Sequence, residues 1–190
     1  MNIINKNFKD LFILETIVHN DFRGYFKETY KNDFFNNNFS EINFIQENES
    51  KSKFGVLRGL HFQTFPMEQT KLVRVVKGKV QDVVVDLREG SKTFGKYFSI
   101  ILSEKNKKQL LIPKGFAHGF LTLSKYSIFN YKVDNPHSIE YESGIKHNDE
   151  DLAISWKLEN SKIKLSEKDK NLKKFKNFYE IFSFHVHNFF

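Results

Sequence analysis

R-G-L-H-F-Q at Arg58–Gln63, K-L-V-R-V at Lys71–Val75 and P-K-G-F-A-H-G-F at Pro113–Phe120 decide how this chain is read. Each is a short apolar run of the kind that makes a buried strand. Each also sets a His, Lys or Arg where a purely structural strand has no use for one. Such side chains belong inside a small β-barrel that serves as a pocket.

Outward from these blocks, the pattern is one of short β segments broken by turns. Strands are predicted at Phe12–His19 and Tyr25–Tyr30, on either side of a turn at Asn20–Gly24. Others fall near Phe44–Glu49, Leu57–Phe62, Thr70–Lys77, Lys79–Leu87, Tyr97–Leu102, Gln109–Ile112, Ala117–Thr122 and Ser127–Val133. Turn residues such as Lys77-Gly78 and Glu89-Gly90-Ser91 separate them, which indicates an antiparallel sandwich or barrel. Lys31–Phe39 fits a short helix or loop. Ser166 and Asp169 stand in capping-box positions, and Leu172, Phe175, Phe178, Tyr179 and Phe182 follow at helical spacing, which predicts a helix over Ser166–Phe182. The expectation is one domain over residues 1–190, mainly β, with a barrel core at about 43–135 and a C-terminal helical segment at about 166–182.

The composition supports this and excludes several functions. With 190 residues, 39% of them apolar and 22 of them Phe, the chain can bury a sizeable core. The net charge of +7 is concentrated between Lys157 and Lys176, where Lys dominates a segment of helical spacing and reads as a solvated face. No strand interleaves aromatic and basic residues as an RNA-binding sheet does, so no nucleic-acid partner is expected. There is no run of 18 apolar residues and no signal-peptide core in MNIINKNFKD, so no membrane partner and a cytoplasmic location are expected. Without Cys there is no disulfide, thiol nucleophile or Cys-based zinc site. His185 and His187 alternate in the tail without a third ligand, and a tail strand is the plainer reading.

His61, Lys71, His118 and Tyr131 all lie in otherwise apolar strands. One such residue is ordinarily a satisfied core group, but four would be costly to bury together, and a pocket is the cheaper explanation. The P-x-G-x-x-H run ending at His118 is similar to half of a metal-binding cupin signature. The other half is missing, because His61-Phe62-Gln63 lacks a second His. No metal and no cofactor are therefore expected. Proton transfer remains: a neutral His can take a proton α to a carbonyl, a Lys can stabilise the enolate, and a Tyr can return a proton to the opposite face. Removal on one face and return on the other is epimerisation.

At this point the chain resembles a family, the nucleotide-sugar 3,5-epimerases typified by dTDP-4-dehydrorhamnose 3,5-epimerase. The likeness covers about residues 10–170 and rests on D-F-R-G-Y-F-K-E at Asp21–Glu28, I-Q-E-N at Ile45–Asn48, S-K-S-K-F-G-V-L-R-G-L-H-F-Q at Ser50–Gln63, and L-I-P-K-G-F-A-H-G-F at Leu111–Phe120. It implies a cupin-like jelly-roll β-barrel with short flanking helices, and a homodimer whose N-terminal strands contribute across the interface.

The resemblance also implies roles. His61 would be the base, Asp169 in L-S-E-K-D its orienting carboxylate, and Tyr131 in F-N-Y-K the proton donor. Lys71 and His118 would sit at the C4 oxygen or sugar hydroxyls. Arg23, Gln46, Asn48 and Arg58 match residues that hold the nucleotide diphosphate and sugar, as do Glu28, Glu142 and Lys168. Arg forks suit a diphosphate. One position departs: six residues after Tyr131 the family has a Tyr that stacks on thymine, and this chain has His137 in D-N-P-H-S. Imidazole is the smaller platform.

The partner implied is a nucleotide-diphospho-4-keto sugar. The activity implied is epimerisation at C3, C5 or both of a 4-keto-6-deoxy sugar, for a bacterial surface polysaccharide such as a capsule or lipopolysaccharide. The nucleotide would be dTDP by family or GDP, the latter on a sugar such as a 4-keto-6-deoxy-heptose. A 3,4-ketoisomerase is a second reading, but its paired His on one strand are absent around His61. A non-catalytic sugar-nucleotide binder is a third, and it should have lost His61 or Tyr131.

Overall fold

The computed structural model describes residues 1–5, 8–39 and 42–178. The described residues form thirteen strands and few helices. In order they are β1 (Asn2–Asn5), β2 (Phe12–Glu15), β3 (His19–Asp21), β4 (Gly24–Phe26), α1 (Asn32–Asn38), β5 (Gln46–Lys53), β6 (Leu57–Gln63), β7 (Lys71–Lys77) and β8 (Lys79–Asp86). Then come β9 (Tyr97–Ser103), β10 (Gln109–Ile112), β11 (Phe116–Thr122), β12 (Tyr126–Val133), β13 (Glu142–Gly144) and α2 (Glu167–Lys170). Two antiparallel sheets hold most of them, one in the order β1-β2-β10-β7-β12-β5 and one in the order β13-β6-β11-β8-β9. This is the mainly β, jelly-roll architecture expected.

Strand alternation divides the apolar residues among three layers. Val73, Val75, Val80, Val84, Leu110, Ile112, Phe120 and Phe129 face inward between the sheets. Their neighbours Val83, Val85 and Ala117 face outward and are covered by Ile145, Phe175 and Phe178. On the other outer face, Leu14, Leu72 and Leu111 are covered by Phe35 of α1. The apolar spacing of residues 172–178 is thus used for packing, as the sequence suggests.

The continuous helix expected over Ser166–Phe182 does not form in its described part. Ser166 does cap α2, accepting from the Asp169 backbone N–H, but α2 ends after four residues. Beyond it Lys173 pairs with Ile145 as an isolated parallel bridge, and its carbonyl accepts from the Lys146 backbone N–H at 2.9 Å. A 3-10 turn at Phe175–Phe178 follows. Hydrogen bonding to the sheet edge replaces the helical ladder, and Phe175 and Phe178 still reach the core. Tyr179 and Phe182 lie outside the described residues, as do His185 and His187. Near the N-terminus, the strand expected over Phe12–His19 ends at Glu15, where its pairing with β1 and β10 stops.

Candidate active site

Residues 58 and 61 are three apart, so on a regular strand Arg58 and His61 would point to opposite faces. A bulge in β6 corrects this. His118 of β11 pairs with His61 and Phe120 pairs with Arg58, so one residue of β11, Gly119, opposes two of β6, Gly59 and Leu60, and the side chains of all four paired residues share the inner face. The bulge needs both glycines of the motifs. Gly59 has φ +129°, and a Cβ there would come within 2.5 Å of the Gly119 Cα. Those glycines explain why R-G-L-H and A-H-G-F occur together.

Between the sheets lies a cavity of about 480 Å³. The five-stranded sheet contributes His61, His118 and Arg58 to it. The six-stranded sheet faces them with Lys71 from β7, Tyr131 from β12, and Gln46 and Asn48 from β5. His137, Glu142, Lys168 and Asp169 complete one side. Phe120 and Phe129, stacked with centroids 4.1 Å apart, supply an apolar floor.

His61 Nε2 and Asp169 Oδ1 are 2.5 Å apart. Asp169 is buried and its other oxygen accepts from the Ser166 hydroxyl at 2.9 Å. Burial alone would raise the carboxyl, but the hydrogen bond and charge of His61, the Ser166 hydroxyl and Lys168 outweigh it and hold it below the usual range. An ionised carboxylate only accepts, so the hydrogen sits on Nε2 and Nδ1 of His61 is left as the basic nitrogen.

Across the cavity, desolvation pushes the Lys71 ammonium down to about 8, opposed by the negative charges of Glu142 and Asp82. Tyr131 is shifted up, chiefly by desolvation, with Arg58 and a hydrogen bond to Asn48 opposing, so its phenol is protonated at neutral pH. Arg58 donates from Nε to Ser52 at 3.0 Å, which leaves the outer edge of its guanidinium for a ligand. Glu142 Oε2 is held by Lys168 Nζ at 2.5 Å and by His137 Nε2 at 3.0 Å. Burial works against this, yet those two bonds keep the Glu142 carboxyl below its ordinary range.

Arg23 and Glu28 are not at this cavity. Arg23 lies on the exposed β3–β4 turn with its guanidinium on Asp21 at 2.6 Å, and Glu28 is exposed beyond β4. Conversely, several polar groups at or behind the cavity carry no site signal in the sequence reading. Ser50 lines the cavity with a buried hydroxyl that has no hydrogen-bond partner among the described residues. Gln63 lines it and ties down the segment carrying His137, donating to the Pro136 carbonyl at 3.1 Å and accepting from the Ser138 backbone N–H at 2.6 Å. Ser166 braces Asp169, and Asp82 stands behind His118. The period-two register could have flagged Ser50 and Gln63, which share a face with Asn48 and His61 respectively. Among the described residues no three His, Asp or Glu side chains gather as a metal site.

A sequence profile for dTDP-4-dehydrorhamnose 3,5-epimerase matches residues 5–177. The chain belongs to that epimerase family. The dTDP-4-dehydrorhamnose 3,5-epimerase of Methanothermobacter thermautotrophicus is 49% identical over 162 residues, 85% of this chain and 87% of that one. The crystal structure of the Elizabethkingia anophelis epimerase superposes with a TM-score of 0.88 at 47% identity, covering 93% of this chain and 97% of the other. A Legionella pneumophila dTDP-6-deoxy-D-glucose-3,5-epimerase, solved in complex with dTDP-4-keto-L-rhamnose, gives the same TM-score at 43% identity, over 92% and 93% of the two chains. The protein is accordingly an isomerase of the carbohydrate-epimerase class. No helix among its described residues is long and apolar enough to cross a membrane.

Proposed function

We propose that this epimerase acts on a dTDP-linked 4-keto-6-deoxy sugar, inverting C3 and C5 by proton removal on one face and return on the other. The observation that carries the reading is His61 on one sheet, held by Asp169 of α2, confronting Tyr131 and Lys71 on the other sheet across a single cavity. His61 Nδ1 takes the proton α to the C4 carbonyl, and the electron pair moves onto the C4 oxygen. The Lys71 ammonium stabilises that enolate, and His118 meets a sugar hydroxyl. Tyr131 then gives its phenolic proton to the opposite face of the carbon. The imidazolium and phenolate left behind return to their starting states by exchange with water, and the balance is zero.

Gln46, Asn48 and Arg58 on one side and Glu142 and Lys168 on the other are placed for the diphosphate and sugar. His137 takes the place of a base-stacking Tyr. The exposed hairpin of β3 and β4 carries Arg23 and presents Phe22, Tyr25 and Phe26, which are 98%, 56% and 67% exposed. We read it as an arm that a second copy of the chain covers, bringing Arg23 and Glu28 to the neighbouring cavity. Light scattering should then give twice 22.6 kDa, and a monomer at micromolar concentration would remove this part of the proposal.

The test is incubation in deuterium oxide with dTDP- and GDP-linked 4-keto-6-deoxy sugars, with the label located by NMR. Deuterium at C3 and C5 with inverted product is expected from the dTDP substrate. Labelling only of the GDP sugar would reassign the nucleotide, a carbonyl moved to C3 would make the protein a ketoisomerase, and no label with tight binding would make it a binder.

A further inference from the structure

Asp82 occupies the middle of β8, between Val80 and Val84, and has no exposed surface. It does not line the cavity. Both of its oxygens lie near one atom, His118 Nε2, at 3.1 and 3.0 Å, and no other hydrogen bond to them is seen among the described residues. The register explains the contact: Asp82 pairs with Phe120 and Val84 with His118, so Asp82 and His118 are diagonal neighbours on the inner face. Burying an anion against one imidazole is expensive, and an apolar pair would hold the core at least as well. Core stability therefore gives no reason for an Asp in this valine run.

What the carboxylate does is visible on its two neighbours. It only accepts, so His118 must carry its hydrogen on Nε2, leaving Nδ1 for a bound sugar. Its charge also favours the ammonium form of Lys71. We propose that Asp82 is a positioning residue for the epimerisation, fixing His118 from behind the cavity wall and supplying the buried counter-charge of the Lys71 ammonium. The service to the C4 oxygen rests on the epimerase reading above, whereas the hold on His118 and Lys71 does not.

The other groups around Lys71 are Arg58 and His61 from β6, His118 from β11, Tyr131 from β12, Glu142 from β13, and Lys168 and Asp169 from α2. Of these Glu142 acts on Lys71 in the same sense as Asp82. Glu142→Gln is therefore the comparator, because its charge acts on Lys71 while its bonds go to Lys168 and His137 and not to His118.

The experiment uses the full chain with three readouts. Imidazole ¹⁵N spectra of the unaltered protein should show the His118 hydrogen on Nε2; a bare Nε2 would overturn the proposal with no variant needed. Amine labelling of Lys71 against pH should give a midpoint near 8, moved to lower pH in both Asp82→Asn and Glu142→Gln, with His118 disturbed only in the former. Deuterium wash-in by Asp82→Asn should lose roughly 10- to 100-fold in kcat at little-changed KM, the scale seen when a carboxylate that orients a metal-bound imidazole is removed. A variant with normal wash-in and an unmoved Lys71 midpoint, altered only in melting temperature, would make Asp82 a structural residue. If the unaltered protein shows no wash-in, the epimerase reading fails, and the spectra and labelling still decide whether Asp82 governs the two groups.

Discussion

Asp169→Asn separates two contributions to the activity of His61. The first is the charge-assisted bond at 2.5 Å. Such bonds contribute about 1.5–3 kcal/mol, so its loss alone weakens the base roughly 10- to 150-fold at about 1.4 kcal/mol per decade. The second is the direction in which the amide settles, and Ser166 decides it. The Ser166 oxygen already accepts from the Asp169 backbone N–H at 3.1 Å and donates its single hydrogen to Oδ2 at 2.9 Å. In the variant that hydrogen keeps an acceptor only if the amide oxygen takes the Oδ2 place. The amide nitrogen then faces His61 Nε2, which must turn its lone pair toward it and carry its hydrogen on Nδ1, the nitrogen that should act as base. Tautomer inversion of this kind costs about 10⁴-fold in a comparable His–Asp arrangement. The expected loss of deuterium wash-in is therefore about 10³–10⁴-fold, with an unchanged circular dichroism spectrum. Adding Ser166→Ala frees the amide to rotate and should restore about tenfold of activity, against an expected stability loss of about 1 kcal/mol from the missing cap. Wash-in within tenfold of the unaltered protein, or no recovery in the double variant, would refute the reasoning.

Three further outcomes follow from the same geometry. Tyr131→Phe keeps the ring and removes the proton, so NMR should show deuterium entering starting material with configuration retained and little epimer; equal loss of both would place Tyr131 in the first step. Lys71 is competent as the ammonium and its value is lowered to about 8, so kcat/KM should fall as the pH rises through about 8, and Lys71→Arg should remove that limb while lowering activity. His137→Tyr replaces an imidazole held by Glu142 with a larger platform, and calorimetry should show dTDP binding roughly 2- to 10-fold tighter; an unchanged Kd would mean that the base does not rest there.

The strands were legible where turns and alternation agree. Lys77-Gly78 reads as a turn, and the glycine is required there, since at φ +84° a Cβ would meet the Tyr126 carbonyl oxygen at 2.2 Å. Gln109–Ile112 forms as expected because its alternation serves two cores at once, Leu110 and Ile112 inside and Leu111 outside. The helix expected at Ser166 does not form because spacing reports which residues pack, not which carbonyls their backbone N–H groups find. In the site, His61, Lys71, His118 and Tyr131 could be read as polar intrusions into apolar strands. Asp82 could not, since V-Q-D-V-V-V-D offers no sign that one Asp faces a histidine on the adjoining strand. Arg58 and His61 share a face only through a bulge, which period-two reading does not anticipate. Arg23 and Glu28 came from a motif, and their side chains point to solvent in the single chain.

Asp169 stands 108 residues from its His61 partner, on a strap fastened to the barrel by the bridges Val56–Lys164 and Ile145–Lys173 and by the rings of Phe175 and Phe178. A few backbone bonds, two rings and the side-chain bonds of Lys168 and Asp169 are a modest attachment beside the ladders of two sheets, so the strap should be the place where the molecule opens first. A molecule with the strap lifted would keep its cavity, Lys71 and Tyr131, but its histidine would swing without a rudder. Turnover thus counts the fraction of molecules with the strap seated. On warming, activity should fade while the barrel is still intact, and amide hydrogen exchange at residues 164–178 should quicken over the same interval.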